Sequence, residues 1–187
     1  MLSVHKLMKK FPLIYVYGGK VIDENGRKMK DWKEKIDRFG EIYIMDLDGI
    51  SKNEPNLDFY QSIFKGKWID AYPRRFEDVM DLVVAGADRI IIREGFAEKD
   101  MKKLFDNVEV ELYLSLSADT PEHYISENDW SGFVYLLNRA MDIRIKEFIS
   151  NLQNLYIIAR RRDYIDFEWM EDRDIQGVVY PVWEMEE

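Results

Sequence analysis

Residues 67–94 read Lys67-Trp-Ile-Asp-Ala-Tyr-Pro-Arg-Arg-Phe-Glu-Asp-Val-Met-Asp-Leu-Val-Val-Ala-Gly-Ala-Asp-Arg-Ile-Ile-Ile-Arg-Glu94, and their pattern is strand, turn, helix, strand. Residues 68–72 are short and rich in aromatic and branched side chains, and Pro73 stops them. From Phe76 the period changes. Phe76, Val79, Met80, Val83 and Val84 recur at the spacing of one helix face, with Glu77 and Asp78 in the first turn, where the helix dipole favours negative charge. Gly86 follows as a C-terminal cap. Ile90, Ile91 and Ile92 then run apolar without alternation, as a strand buried on both faces does. A crossover of this length joins parallel strands of one sheet.

The same alternation extends in both directions. Strands are predicted over 13–17, 42–45, 68–72, 90–92, 110–117, 133–137, 155–159 and 178–183. Between them lie helix faces: Trp32, Ile36 and Phe39; Leu57, Tyr60 and Phe64 after a capping Asn56; Met101, Leu104 and Phe105; Ile145, Phe148, Ile149 and Leu152; and residues 164–171. The helical signal at 124–130 amounts to a turn or two. Eight strands alternating with helices point to an α/β fold, a compact (β/α)8 barrel with short helices and no helix after the last strand. An open flavodoxin-like sheet is the alternative. The 187 residues fall below the ~200 at the short end for such barrels, and the short helices account for the difference.

The chain reads as a single barrel domain, 1–187, with an N-terminal segment at 1–11 and half-barrels at 12–97 and 98–187. A faint repeat, 72–78 against 160–166 and 90–92 against 178–180, has a shift near half the chain. Residues 2–10 form a short amphipathic helix in this reading, placed to cover the outer faces of strands eight and one. A homodimer contact is the other way to cover them.

Composition narrows the function classes. Hydrophobic content of 47% with 14% aromatics excludes disorder, and a net charge of −9 argues against nonspecific nucleic-acid binding. The absence of cysteine excludes disulfides and thiolate metal sites. The first ten residues are broken by charge, unlike a signal peptide, and no apolar run approaches the ~18 residues of a membrane span. A soluble cytoplasmic protein is expected. Asp46-Leu-Asp-Gly49 lacks the later ligands of a calcium loop, Gly18-Gly-Lys20 lacks the spacing of a phosphate-binding P-loop, and His5 and His123 stand far apart. No metal or cofactor is expected.

Arginines carry the strongest functional signal. Arg74, Arg75, Arg93, Arg139, Arg160, Arg161 and Arg162 all fall at or just past predicted strand ends, where barrels build their sites. Either they form a positive mouth that holds phosphate or carboxylate, or they pair with Asp46, Asp48, Glu94, Asp119 and Glu184 at the same end.

Several stretches resemble the histidine-biosynthesis barrels, the HisA/HisF family of isomerase and cyclase subunits. They are Gly18-Gly-Lys-Val21, Ile44-Met-Asp-Leu-Asp-Gly49, Pro55-Asn-Leu57, Arg75-Phe-Glu-Asp78 and Ala85-Gly-Ala-Asp-Arg-Ile-Ile-Ile92, in the family's order and spacing. The resemblance implies a half-barrel duplication, a substrate loop at Asp46 and Asp48, and an aspartate pair at the ends of strands one and five. Here Tyr15 and Ser117 stand in those two places, and neither replaces a carboxylate near neutral pH. Asp119, two residues on, would return to the same face of an extended strand and could stand in. The family's glycine-rich phosphate turns are replaced by Arg74-Arg75 and Arg160-Arg-Arg162, and Arg93 replaces a small residue after strand four. The expectation is a divergent barrel without isomerase activity that binds an anionic small metabolite or a protein partner. The alternative is an isomerase or lyase acting on a phosphorylated sugar or aminoimidazole ribotide with rearranged acid–base groups.

Overall fold

The computed structural model describes residues 7–186. Its strands are β1 (Lys9–Tyr17), β2 (Lys20–Ile22), β3 (Glu41–Asp46), β4 (Gly66–Asp70), β5 (Arg89–Ile92), β6 (Glu111–Leu116), β7 (Gly132–Leu137), β8 (Leu155–Ala159) and β9 (Ile175–Pro181). Its helices are α1 (Trp32–Ile36), α2 (Leu47–Lys52), α3 (Leu57–Gln61), α4 (Phe76–Val84), α5 (Met101–Asn107), α6 (Glu122–Ser126), α7 (Ile143–Ser150) and α8 (Phe167–Glu171). Eight strands, β1 and β3 to β9, pair in parallel and close through β9–β1, giving the (β/α)8 barrel. After β9 there is a single 3₁₀ turn, Val182–Glu184, and no further helix among the described residues.

β2 is an addition that the hydrophobic pattern did not show. β1 pairs with β9 only from Lys9 to Leu13, opposite Gly177 to Pro181. Beyond that, Tyr15, Val16 and Tyr17 pair antiparallel with Ile22, Val21 and Lys20. β2 therefore takes over the β1 edge above the end of β9, where proline has no N–H to extend the ladder. On the outer seam, Val182 is buried in the cluster that holds Val16 and Ile36, while Met8 and Phe167 pack beside Tyr180. The helix expected at 2–10 lies outside the described residues over 1–6, and Lys9 and Lys10 open β1 instead.

The deciding segment forms as its pattern predicts, with one correction. α4 begins at Phe76 and ends in a Schellman motif: Gly86, at φ +93°, donates to Val83 O, and Ala87 N donates to Leu82 O. Its N-terminus is held by Asp78, which accepts from the backbone N–H groups of Arg74 and Arg75. The buried face, however, runs through Val79 and Leu82, and Val84 is exposed.

Inward-facing side chains fill the barrel: Phe11, Leu13, Tyr43, Met45, Trp68, Ile91, Tyr113, Val134, Tyr156, Ile158 and Val179. Trp68 is wholly buried among them. Its ring centroid lies 5.5 Å from Phe11, 4.5 Å from Tyr113, 4.6 Å from Tyr156 and 6.4 Å from Tyr43. Glycines make room for these rings. A Cβ on Gly132 would come within 2.7 Å of the Tyr113 ring, and one on Gly177 within 2.9 Å of the Tyr156 ring. The N-terminal end is closed by charge. Trp68 Nε1 donates to Glu41 at 2.7 Å, and Arg89 lies over the indole while pairing with Glu111 at 2.6 Å and Glu41 at 3.6 Å. Trp68→Ala would empty the centre of this layer. The expected cost is about 3–5 kcal/mol, read as a lowered urea midpoint with the barrel otherwise intact.

Candidate active site at the barrel mouth

The side chains that face inward continue past the aromatic layer to the C-terminal strand ends, since residues two apart share a face. Trp68 leads to Asp70, Ile91 to Arg93, Tyr113 to Ser115, Val134 to Leu136, Ile158 to Arg160 and Leu13 to Tyr15. The mouth is thus set by strand parity.

Asp70 is fully buried there. Its carboxylate accepts from Arg93 Nε and Nη2, each at 2.8 Å, and from the Tyr43 hydroxyl at 2.8 Å. This is the paired geometry that gives a guanidinium–carboxylate contact both strength and direction. Burial alone would lower the Arg93 pKa, but the charge of Asp70 outweighs it and holds Arg93 firmly protonated. Burial raises the Tyr43 hydroxyl pKa well above the ordinary range, and Asp70 adds to the effect. Arg93 Nη1 has no acceptor among the described residues and faces a cleft of about 410 Å³. Tyr72, Glu94, Ser117 and Asn138 also line it, with Ser115 and Leu136.

The other expected arginines divide sharply. Arg74 donates to the carbonyls of Gly49, Ile50 and Tyr72 and to Asn53 Oδ1, so it ties the loop after β4 to α2. Arg75 pairs with Asp78, Arg139 with Asp142, Arg161 with Asp163 and Arg162 with Glu186. Among the described residues none of these side chains pairs with Asp46, Asp48, Glu94, Asp119 or Glu184. Sequence position fixed the strand end but not which carboxylate came within reach. Arg160 has no hydrogen-bonding or ion-pair partner for its side chain among the described residues; its charge acts on Tyr15. Ser115 and Asn138 likewise have no protein partner for their polar groups among the described residues.

Asp46 and Asp48 face another task. Asp46 accepts from the N–H groups of Asp48, Gly49 and Asn56, from Asn56 Nδ2 and from the Tyr60 hydroxyl. Asp48 accepts from Gly18 N at 2.7 Å and Asn56 Nδ2 at 2.9 Å, and lies 3.6 Å from Lys52. Burial opposes the charged form of Asp48, yet these bonds and Lys52 bring its pKa below the usual carboxylate value. Asn56, expected as a helix cap, instead accepts from Gly19 N and bridges both aspartates. Together they fasten the β1–β2 hairpin to α2 and α3.

Tyr15 stacks on Trp183 at 5.9 Å and 27°. Burial pushes its pKa up to about 12, with Arg160 lowering and Glu184 raising it, so it is a neutral phenol. Ser117 sits in a turn: its N–H donates to Thr120 Oγ1, and its Oγ faces Asp119 N at 3.3 Å. Because β6 stops at Leu116, strand parity does not carry to Asp119, which is exposed on that turn and outside the cleft wall. The expectation that it returns to the inward face is corrected here. Asp70 and Tyr72 were not singled out in the sequence, although Trp68-Ile-Asp70 alternation already set Asp70 inward. His123, exposed and 3.4 Å from Glu98, belongs to a depression on the flank between α5 and α6; His5 lies outside the described residues.

No protein family model matches this sequence, and no curated protein does. Solved structures do. KGPDC from Streptococcus mutans aligns with a TM-score of 0.68 at 12% identity, over 93% of this chain and 87% of that one. The same protein in complex with D-ribose 5-phosphate aligns at 0.65 and 10%, over 93% and 88%. N-(5'-phosphoribosyl)anthranilate isomerase from Pyrococcus furiosus aligns at 0.62 and 12%, over 95% and 90%. The chain has the fold of these barrels. At such identities the likeness extends to architecture, and the HisA/HisF assignment has no support from it. No described helix is long and apolar enough to cross a membrane.

Two outcomes follow from the geometry. Arg93→Ala strands a buried carboxylate and should cost about 3–5 kcal/mol in denaturant titration, whereas the double variant Asp70→Leu with Arg93→Met should recover most of it. The second concerns alkali. Burial, Glu111 and Tyr156, opposed by Arg89, push Tyr113 up to about 12, and Tyr15 is up to about 12 as well. Between an unfolded value of ~10 and those values the native state binds more protons, so stability should be intact below ~10 and fall as pH rises through that window. Tyrosinate absorbance should rise together with loss of the fold.

Proposed function

We propose that the mouth of this barrel binds a small phosphorylated molecule of the sugar-phosphate class. The observation that carries this reading is an arc of donors without protein acceptors on consecutive strand ends: Arg93 Nη1 after β5, Ser115 on β6, Asn138 after β7 and Arg160 after β8. Since Asp70 cancels the charge of Arg93, Arg160 supplies the uncompensated positive charge. A guanidinium grips phosphate through paired N–H donors and needs no close approach of the backbone, so glycine turns are dispensable. A neighbour of the same fold solved with D-ribose 5-phosphate supports a sugar phosphate among anions. Tyr15 as a neutral phenol and Ser117 in a turn offer no carboxylate pair for isomerase chemistry, which favours recognition without that activity.

A second reading is an isomerase or lyase acting on the same ligand, and the isomerase among the structural neighbours favours it. Calorimetry with ribose 5-phosphate and with ribose tests the first. The phosphate ester should bind and ribose should not. Arg160→Ala should weaken binding at least ~10-fold, the scale of a lost charge-assisted hydrogen bond, and Glu94→Gln should strengthen it. Equal affinity for ribose, or no binding of the ester, overturns the proposal. New proton resonances from ribose 5-phosphate incubated with the protein would favour the second reading.

A further inference from the structure

Tyr72 occupies a backbone position that suits its residue type poorly. It follows β4 by two residues at φ +51°, in the left-handed region, where a Cβ crowds the neighbouring carbonyl and bulky residues are rare. Glycine or asparagine would sit there with less strain, so the ring must be there for what it touches. The guanidinium carbons of Arg74 and Arg93 lie over it, 4.5 and 5.9 Å from the centroid. The Tyr72 hydroxyl donates to Glu94 O at 3.2 Å. A Cβ on Gly95 would lie 2.8 Å from that hydroxyl oxygen, so the facing loop carries glycine where the ring presses on it. Tyr72 therefore clips the loop after β4 to the loop after β5, of which Arg93 is the first residue. Arg74, fixed by its four acceptors, backs the ring.

We propose that Tyr72 is the positioning residue of the anion site, holding Arg93 so that Nη1 faces the cleft. The inference rests on the sugar-phosphate reading of the mouth. Asp70 fixes the guanidinium along the edge bearing Nε and Nη2. That contact leaves rocking out of the shared plane, toward solvent, and a ring over the face restrains it.

The test uses the full chain with Tyr72→Phe, Tyr72→Gly and Tyr72→Asn, and ribose 5-phosphate as probe. Calorimetry is run at a temperature where circular dichroism shows every variant folded. Phenylalanine keeps the ring and should keep the parent affinity. Glycine and asparagine fit the left-handed backbone but remove the ring, and each should weaken binding about tenfold, one oriented hydrogen bond's worth, whatever happens to the melting temperature. If both bind like the parent while melting lower, Tyr72 is a structural clip and the proposal is overturned. A parent that fails to bind ribose 5-phosphate removes the anion site and this role together, whereas parent-like binding in the glycine and asparagine variants removes only the role of Tyr72.

Discussion

Eight short strands closed on themselves leave an interior that must be filled, and Trp68 fills its centre. The indole touches rings from β1, β3, β6 and β8, so strands on opposite sides of the barrel meet on one side chain. The helices are too short to supply this cohesion, the longest being the nine residues of α4. Burying a large aromatic side chain fully is among the larger single contributions available to a domain of this size. It also fixes everything above and below. The indole N–H is satisfied by Glu41 at the floor, and parity from Trp68 puts Asp70 at the mouth.

Tyr43 carries this order from core to mouth. Its ring stacks near Trp68 at 29°, and its hydroxyl donates to Asp70. Asp70 thus receives a third hydrogen bond beyond the two from Arg93, from a residue that packing already immobilises. A buried ion pair adds little net stability compared with apolar residues of equal volume, because desolvation offsets the attraction. Its presence at the one end of the barrel that faces a cleft is better explained by the fixed orientation it gives Arg93 than by stability.

The pattern of strands and helices was legible because burial on both faces and helical spacing leave a mark in a single sequence. Residues 67–94 show both, and α4 starts at Phe76 as its spacing predicts. What was not legible depended on partners distant in sequence. β2 has only Lys20, Val21 and Ile22 and follows from the early end of β9 at Pro181, which no local pattern reveals. Asp46 and Asp48 have the look of exposed ligand groups until Asn56, Tyr60 and Gly18 are seen to saturate them. The arginines sit at strand ends as expected, but the separation of Arg160 from the paired ones is a matter of reach in space.

The same early end of β9 explains why the mouth is unequal. Where β9 stops, the β1–β2 hairpin rises in its place, and the chain turns away through Val182, buried beside Val16 and Ile36. That turn lays Trp183 on Tyr15, and the Asp46–Asn56–Asp48 network ties the hairpin down to α2 and α3. One side of the mouth is consequently closed by rings and internally satisfied carboxylates. Polar groups left without partners are then confined to the ends of β5 to β8, where short turns leave them open to water. A ligand entering there meets donors on one wall and a packed aromatic wall on the other, an asymmetry that favours a molecule with one anionic end.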